Sequence, residues 1–132
     1  MRDARIEQLA RNLVHYSIAV RPDEHVLIDM TGSERELVKA IVSEVQEAGA
    51  YPHVELNDPS VLRALLLEAS EPQLRAWAQR DLVRMKQMDA YIGIRAGGNV
   101  NELSDVPSEQ MNMYNRLYRH PVHLEQRVKH TK

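Results

Sequence analysis

Apolar positions recur along this chain with two different periods. Ile6, Leu9, Leu13 and Val14 share one helical face with Ala10 beside them, while Arg5, Glu7, Arg11 and Asn12 fall elsewhere. The spacing predicts a helix ending near Ser17, ahead of the Arg21-Pro22-Asp23 turn. His25-Val26-Leu27-Ile28-Asp29-Met30 is short, mostly apolar and bounded by turn residues, the signature of a buried strand. Thr31-Gly32 turns the chain, and Ser33-Glu34-Arg35-Glu36 fits a capping box at the head of a helix. Leu37, Val38, Ile41, Val42 and Val45 supply its apolar stripe, and Gly49 stops it.

Tyr51-Pro52-His53-Val54-Glu55-Leu56 alternates, and Pro52 lacks a donor for a strand ladder; both features mark an edge strand. Asp58-Pro59 opens a helix with proline in its first turn, its stripe being Val61, Leu62, Leu65 and Leu66. Ser70-Glu71-Pro72-Gln73 opens another, with Leu74, Trp77, Ala78, Leu82 and Met85 inward. Asp89 to Arg95 reads as a third strand, closed by Ala96-Gly97-Gly98-Asn99. A helix from Pro107-Ser108 puts Met111, Tyr114, Leu117 and Tyr118 inward; Pro121 interrupts it, and a short helical pattern runs on past Leu124 and Val128.

Strands alternating with helices predict an α/β fold: a small parallel, Rossmann-like sheet of at least three strands with helices on both faces. An apolar central first strand and an edge strand at Pro52 give the order 2-1-3. The last helical stretch has no strand after it to deliver the chain to, so residues 1–132 read as a single domain truncated before a further strand.

Composition narrows the function classes. The 132 residues are 43% apolar, contain no cysteine and carry a net charge of −2. Near-neutral charge argues against a nucleic-acid binder. No apolar run approaches a membrane span, and Met1 to Glu7 lacks the apolar core of a secretory signal. The absence of thiols suits the cytoplasm.

Three places carry candidate chemistry. Thr31-Gly32-Ser33 forms a strand–helix turn that points backbone N–H groups at one spot. It lacks a dinucleotide or phosphate-loop pattern, and Glu34 and Glu36 oppose an anion there. An ordinary βα turn is the favoured reading. Arg95 and Asn101 flank Gly97-Gly98-Asn99 at the carboxyl end of the third strand, where open α/β sheets bind ligands; they are the substrate-cavity candidates. His120, His123, Glu125 and His130 have a loose metal-ligand spacing, but Pro121 breaks the shared face and neighbouring arginines and lysines oppose a cation. His15, His25 and His53 are isolated in sequence. No catalytic and no metal residue is assigned.

Several runs taken together carry a family resemblance. They are Arg5-Ile6-Glu7-Gln8-Leu9-Ala10-Arg11-Asn12-Leu13-Val14-His15-Tyr16-Ser17, Val26-Leu27-Ile28-Asp29 with Leu37-Val38-Lys39-Ala40-Ile41, Ala48-Gly49-Ala50-Tyr51-Pro52-His53-Val54, and Met88-Asp89-Ala90-Tyr91-Ile92-Gly93-Ile94-Arg95-Ala96-Gly97-Gly98-Asn99-Val100-Asn101-Glu102-Leu103. In this order they resemble the N-terminal domain of the thermophilic metal-dependent aminopeptidases, the group of aminopeptidases T and S and the leucyl aminopeptidase-like enzymes. The resemblance implies a parent hydrolase that removes N-terminal residues from peptides with two divalent metal ions of the zinc or cobalt class. Such a pair activates a water and polarises the scissile carbonyl. Its ligands belong to a C-terminal catalytic domain outside these residues, so no cofactor is expected in this chain and the chain alone is expected to be inactive. The implied partners are peptide substrates, the parent's own catalytic domain and a second subunit in a homodimer, with no nucleic acid and no membrane. Two alternatives stay open: a free-standing small-ligand or nucleotide-binding α/β module, and a pure interaction domain.

Overall fold

The structure is a computed structural model that describes residues 3–95 and 103–132. Its elements follow the expected order. They are α1 (Ala4–Asn12), β1 (His25–Thr31), α2 (Arg35–Glu47), β2 (Tyr51–Asn57), α3 (Pro59–Leu67), α4 (Glu71–Lys86), β3 (Ala90–Arg95), α5 (Ser108–Tyr114) and α6 (Val128–His130). Wider π-helical turns extend α1 through Leu13–Ser17 and link α5 to α6 through Asn115–Arg127. The three strands form one parallel sheet in the order β2-β1-β3, as the apolar β1 and the proline-bearing β2 require.

By its contacts the chain divides into two compact units. The first holds α1, α2 and the sheet. β1 and β3 pair in parallel from Val26 with Ala90 to Thr31 with Arg95. Alternation then puts Val26, Ile28 and Met30 on the same face as Ala90, Ile92 and Ile94. These residues pack with Ala10, Val14 and Ile18 from α1 and its extension and with Val38, Ala40, Ile41 and Val45 from α2. Fully burying one such aliphatic side chain contributes about 1.5–3 kcal/mol. Tyr51 N–H donates to the Glu24 carbonyl at 2.8 Å, so the missing donor of Pro52 falls on the open side of β2.

The second unit holds α3 to α6. Leu66, Ala69, Leu74, Val106 and Leu117 form its core, with Leu62, Trp77, Met111 and Tyr114 packed against it. Trp77 stacks on Tyr118 with ring centroids 4.1 Å apart, and the Tyr118 hydroxyl donates to Asp81. Bidentate pairing of Arg63 with Asp105 ties α3 to the loop before α5.

The helix ends follow local chemistry, with two corrections to expectation. Asp58 accepts from Ser60 N–H at 2.8 Å with Pro59 in the first turn of α3, and Ser70 caps α4 through Gln73 N–H. Gly49 ends α2 at φ +79°, a conformation open to glycine. The capping box at Ser33 does not form: α2 starts at Arg35 behind Glu34, without a side-chain cap, because the Ser33 carbonyl takes the Arg35 N–H at 2.9 Å and spends that residue in the turn. Pro121 does not break its helix. The path widens instead, Val128 N–H reaching the His123 carbonyl five residues back. A proline ring collides with the carbonyl four residues earlier in an α-helix, and the wider turn removes that collision. Leu9, Val61 and Leu65, members of the apolar stripes, are about half exposed.

The hydroxyl and N–H of Ser60 hold the Asp58 carboxyl below its ordinary value. The charged cap is therefore fully present above the usual aspartate range and is lost as pH falls through the lowered value. Acid titration is expected to release the Ser60 amide, read by its hydrogen exchange. Asp58→Asn, which caps without titrating, is expected to remove that pH dependence.

Candidate functional site

The alternation that sends even-numbered residues of β1 and β3 into aliphatic packing sends odd-numbered ones to the other face. There the residues are His25, Leu27, Asp29 and Thr31 on β1, Tyr91, Gly93 and Arg95 on β3, and Tyr51, His53 and Glu55 on β2. Only Leu27 among them is aliphatic.

Asp29 is the one buried charged residue among those described, with 5% of its surface exposed. The Tyr91 hydroxyl donates to its Oδ2 at 2.7 Å. Gly93 sits opposite Asp29 and makes that reach possible. A Cβ at position 93 would lie 2.9 Å from Tyr91 Cε1 and 3.2 Å from its hydroxyl, so the ring lies across the glycine on its way to the carboxylate. Burying a carboxylate costs several kcal/mol unless hydrogen bonds satisfy it, and this bond is part of that satisfaction.

Arg95 stands where expected, at the carboxyl end of β3. Its Nη1 donates to Thr31 Oγ1 at 3.2 Å, so the guanidinium reaches across to the end of the adjacent strand. It remains solvent-exposed, and no carboxylate pairs with it among the described residues. Its companion candidate Asn101, like Gly97, Gly98 and Asn99, lies outside the described residues.

At the amino end of the sheet, two histidines remote in sequence meet. His25 Nδ1 and His53 Nε2 are 2.9 Å apart, one ring donating and the other accepting. His25 N–H donates to the Asp89 carboxylate at 2.8 Å, and the Tyr51 ring lies 5.1 Å from the His25 ring. The Tyr51 hydroxyl donates to Asp23, which holds the Tyr51 proton on to higher pH. The sequence spacing of these residues concealed the group; pairing of neighbouring strands assembles it.

The remaining candidates are not drawn together. His120 approaches Glu125 at 3.4 Å, while Glu125 also binds Lys129 at 2.9 Å and is held below its ordinary value chiefly by that bond. His123 Nδ1 accepts from Arg127, so the ring points its lone pair at a cation already in place. His15 pairs with Glu44. Gly32 takes a positive φ at the βα turn, as a tight turn needs, and Glu36 behind it pairs with Lys39. Among the described residues no group of three or more histidine, aspartate or glutamate side chains is arranged to hold a metal ion. The metal pair implied by the resemblance therefore does not fit these residues, and no chemistry is routed through one here. No described helix is long and apolar enough to cross a membrane.

The model of the thermophilic metalloprotease family, M29, matches residues 2–130. The chain belongs to the M29 family. In fold the M29 chain is similar to wild-type AmpT from Thermus thermophilus, with a TM-score of 0.68 at 17% identity over 89% of its own length. It spans 30% of that protein's chain. A comparison with curated proteins gives no match.

The Tyr91–Gly93 arrangement yields a test. Gly93→Ala is expected to push the ring off Asp29 and to lower unfolding stability by about 1–3 kcal/mol. Combining it with Tyr91→Ala removes the collision, so a double-mutant cycle is expected to show a coupling of about 1 kcal/mol. Strict additivity in denaturant titrations would contradict the geometry.

Proposed function

We propose that these residues form the non-catalytic N-terminal domain of a metal-dependent aminopeptidase, which releases N-terminal amino acids from peptides. The supporting observation is a family match across residues 2–130 in a chain that spans 30% of a relative of the same fold. In this reading the two divalent metal ions, of the zinc or cobalt class, belong to the parent's C-terminal domain. The present domain contributes a wall of the substrate cavity. The parent is a cytoplasmic homodimer acting on peptides.

Within that wall Arg95 is the substrate-facing group, and Asn101 its proposed companion. An arginine offers a planar fork of donors suited to carbonyl and carboxylate oxygens. Anchoring on Thr31 removes part of the rotamer freedom that binding would otherwise cost. The position is also the one where open α/β sheets present ligand contacts, beyond the carboxyl ends of the strands.

Two measurements test the reading. The purified 132-residue chain is expected to hydrolyse no amino-acyl anilide with added cobalt or zinc, while the parent enzyme does so; metal-dependent turnover by the short chain would refute it. In the parent, Arg95→Ala is expected to raise KM for peptides about tenfold, the worth of one charge-assisted hydrogen bond, with a smaller change in kcat. Unchanged kinetics toward peptides of several lengths would remove Arg95 from the cavity.

A further inference from the structure

The histidines at the amino end of the sheet touch through one nitrogen each. His25 Nδ1 and His53 Nε2 are 2.9 Å apart, and the ring centroids are 5.1 Å apart. The two ring radii and that contact account for the centroid separation only when the rings meet head-on. Nitrogens aimed at one another suit a shared proton, whereas a metal ion needs both lone pairs aimed at a third point. The backbone around the rings is tied down. His25 N–H donates to the Asp89 carboxylate, Tyr51 N–H to the Glu24 carbonyl, and the Tyr51 hydroxyl to Asp23.

We infer that His25 and His53 form one proton-binding site, a latch that holds the start of β2 to β1 and opens when a second proton arrives. Counting ring N–H groups carries the argument. With both rings neutral, a single N–H fills the contact. With one ring protonated, an imidazolium N–H donates to the remaining lone pair, and the bond becomes charge-assisted and stronger. With both protonated, every ring nitrogen carries a hydrogen, so two donors and two like charges face each other. The first proton therefore tightens the latch and the second breaks it. Both steps belong to the pair rather than to either ring. The neighbouring charges fit one positive charge there. Asp89 holds the His25 backbone, Asp23 holds the Tyr51 hydroxyl, and Glu55 follows His53 on the same face of β2. Glu24, just before β1, is engaged by the ammonium of Lys132 at 2.7 Å. The strand that responds is β2. None of its residues is fully buried, whereas β1 is buried from Val26 to Met30, so little burial opposes fraying of β2 once the latch opens.

Ring nitrogen spectra of the full-length protein, carrying 15N-labelled histidine and followed across pH, test this. His25 and His53 are expected to take up protons in two separate steps, and in His53→Gln the His25 ring is expected to titrate in one. Amide hydrogen exchange over β2 gives a second reading that needs no variant. Corrected for the intrinsic effect of pH, it is expected to stay level through the first step and to rise about tenfold at the second. His53→Gln keeps a side chain that donates or accepts but takes no proton, so it is expected to abolish that rise. Independent uptake by the two rings overturns the inference, and so does a rise in exchange at the first step. The same rise in His53→Gln also overturns it and assigns the release to Asp23, Glu24, Glu55 or Asp89.

Discussion

The in-register pairing of β1 with β3 is the constraint on which the rest depends. From Val26–Ala90 to Thr31–Arg95, each pair commits both residues to the same face. Even-numbered positions supply the aliphatic layer against α1 and α2, and odd-numbered ones supply Asp29, Thr31, Tyr91, Gly93 and Arg95. A slip of one residue would exchange the two sets, driving Asp29 and Tyr91 into aliphatic packing and Ile28 and Ile92 out of it. Aliphatic burial and the cost of an unsatisfied carboxylate therefore oppose the same slip from opposite sides of the sheet. Gly93 belongs to this constraint, since only its bare Cα leaves room for the Tyr91 ring to reach Asp29.

Much of the fold was legible because local signals and tertiary demands agree. The apolar run at β1 means burial on both faces, and it became the central strand. Pro52 means a missing donor, and that donor is missing on the open side. Asp58 and Ser70 are caps by chemistry and caps in fact. Legibility failed where two local signals competed or where contact is long-range. At Ser33 a cap competed with the turn made by Gly32, and the turn won. At Pro121 a helix breaker met a segment whose Leu117, Tyr118 and Val122 are buried, and the backbone widened rather than give up that burial. His25 and His53 stand 28 residues apart, and no periodicity announces a pair that parallel strands create. Asp29 and Gly93 did leave a signal: a carboxylate and a glycine inside otherwise apolar strands, each unexplained by the strand alone.

The arrangement of side chains also bears on the division of labour in the proposed parent. Histidines and carboxylates are plentiful in this chain, and several are paired with one another or with cations: His120 with Glu125, Glu125 with Lys129, His123 with Arg127, His15 with Glu44, His25 with His53. At Glu125 and Glu36 a lysine already offsets the carboxylate charge. At the carboxyl end of the sheet an exposed guanidinium reaches from β3 to Thr31 on β1. Such a group binds and orients well and transfers protons poorly, because arginine stays charged throughout the physiological range.

The two edges of the sheet differ in the same sense. Edge strands present unpaired donors and acceptors, and proteins commonly blunt them or cover them. On β2 the open side loses a donor at Pro52, which suits a strand that ends the sheet. On β3 no proline interrupts the run from Ala90 to Arg95, and Gly93 and Arg95 keep their N–H groups. An edge left fully competent for pairing is a liability unless something pairs with it, and Lys132 is already seated at its start. The asymmetry between the edges is thus written in the strands themselves: the open side of β2 lacks a donor at Pro52, while β3 keeps its donors.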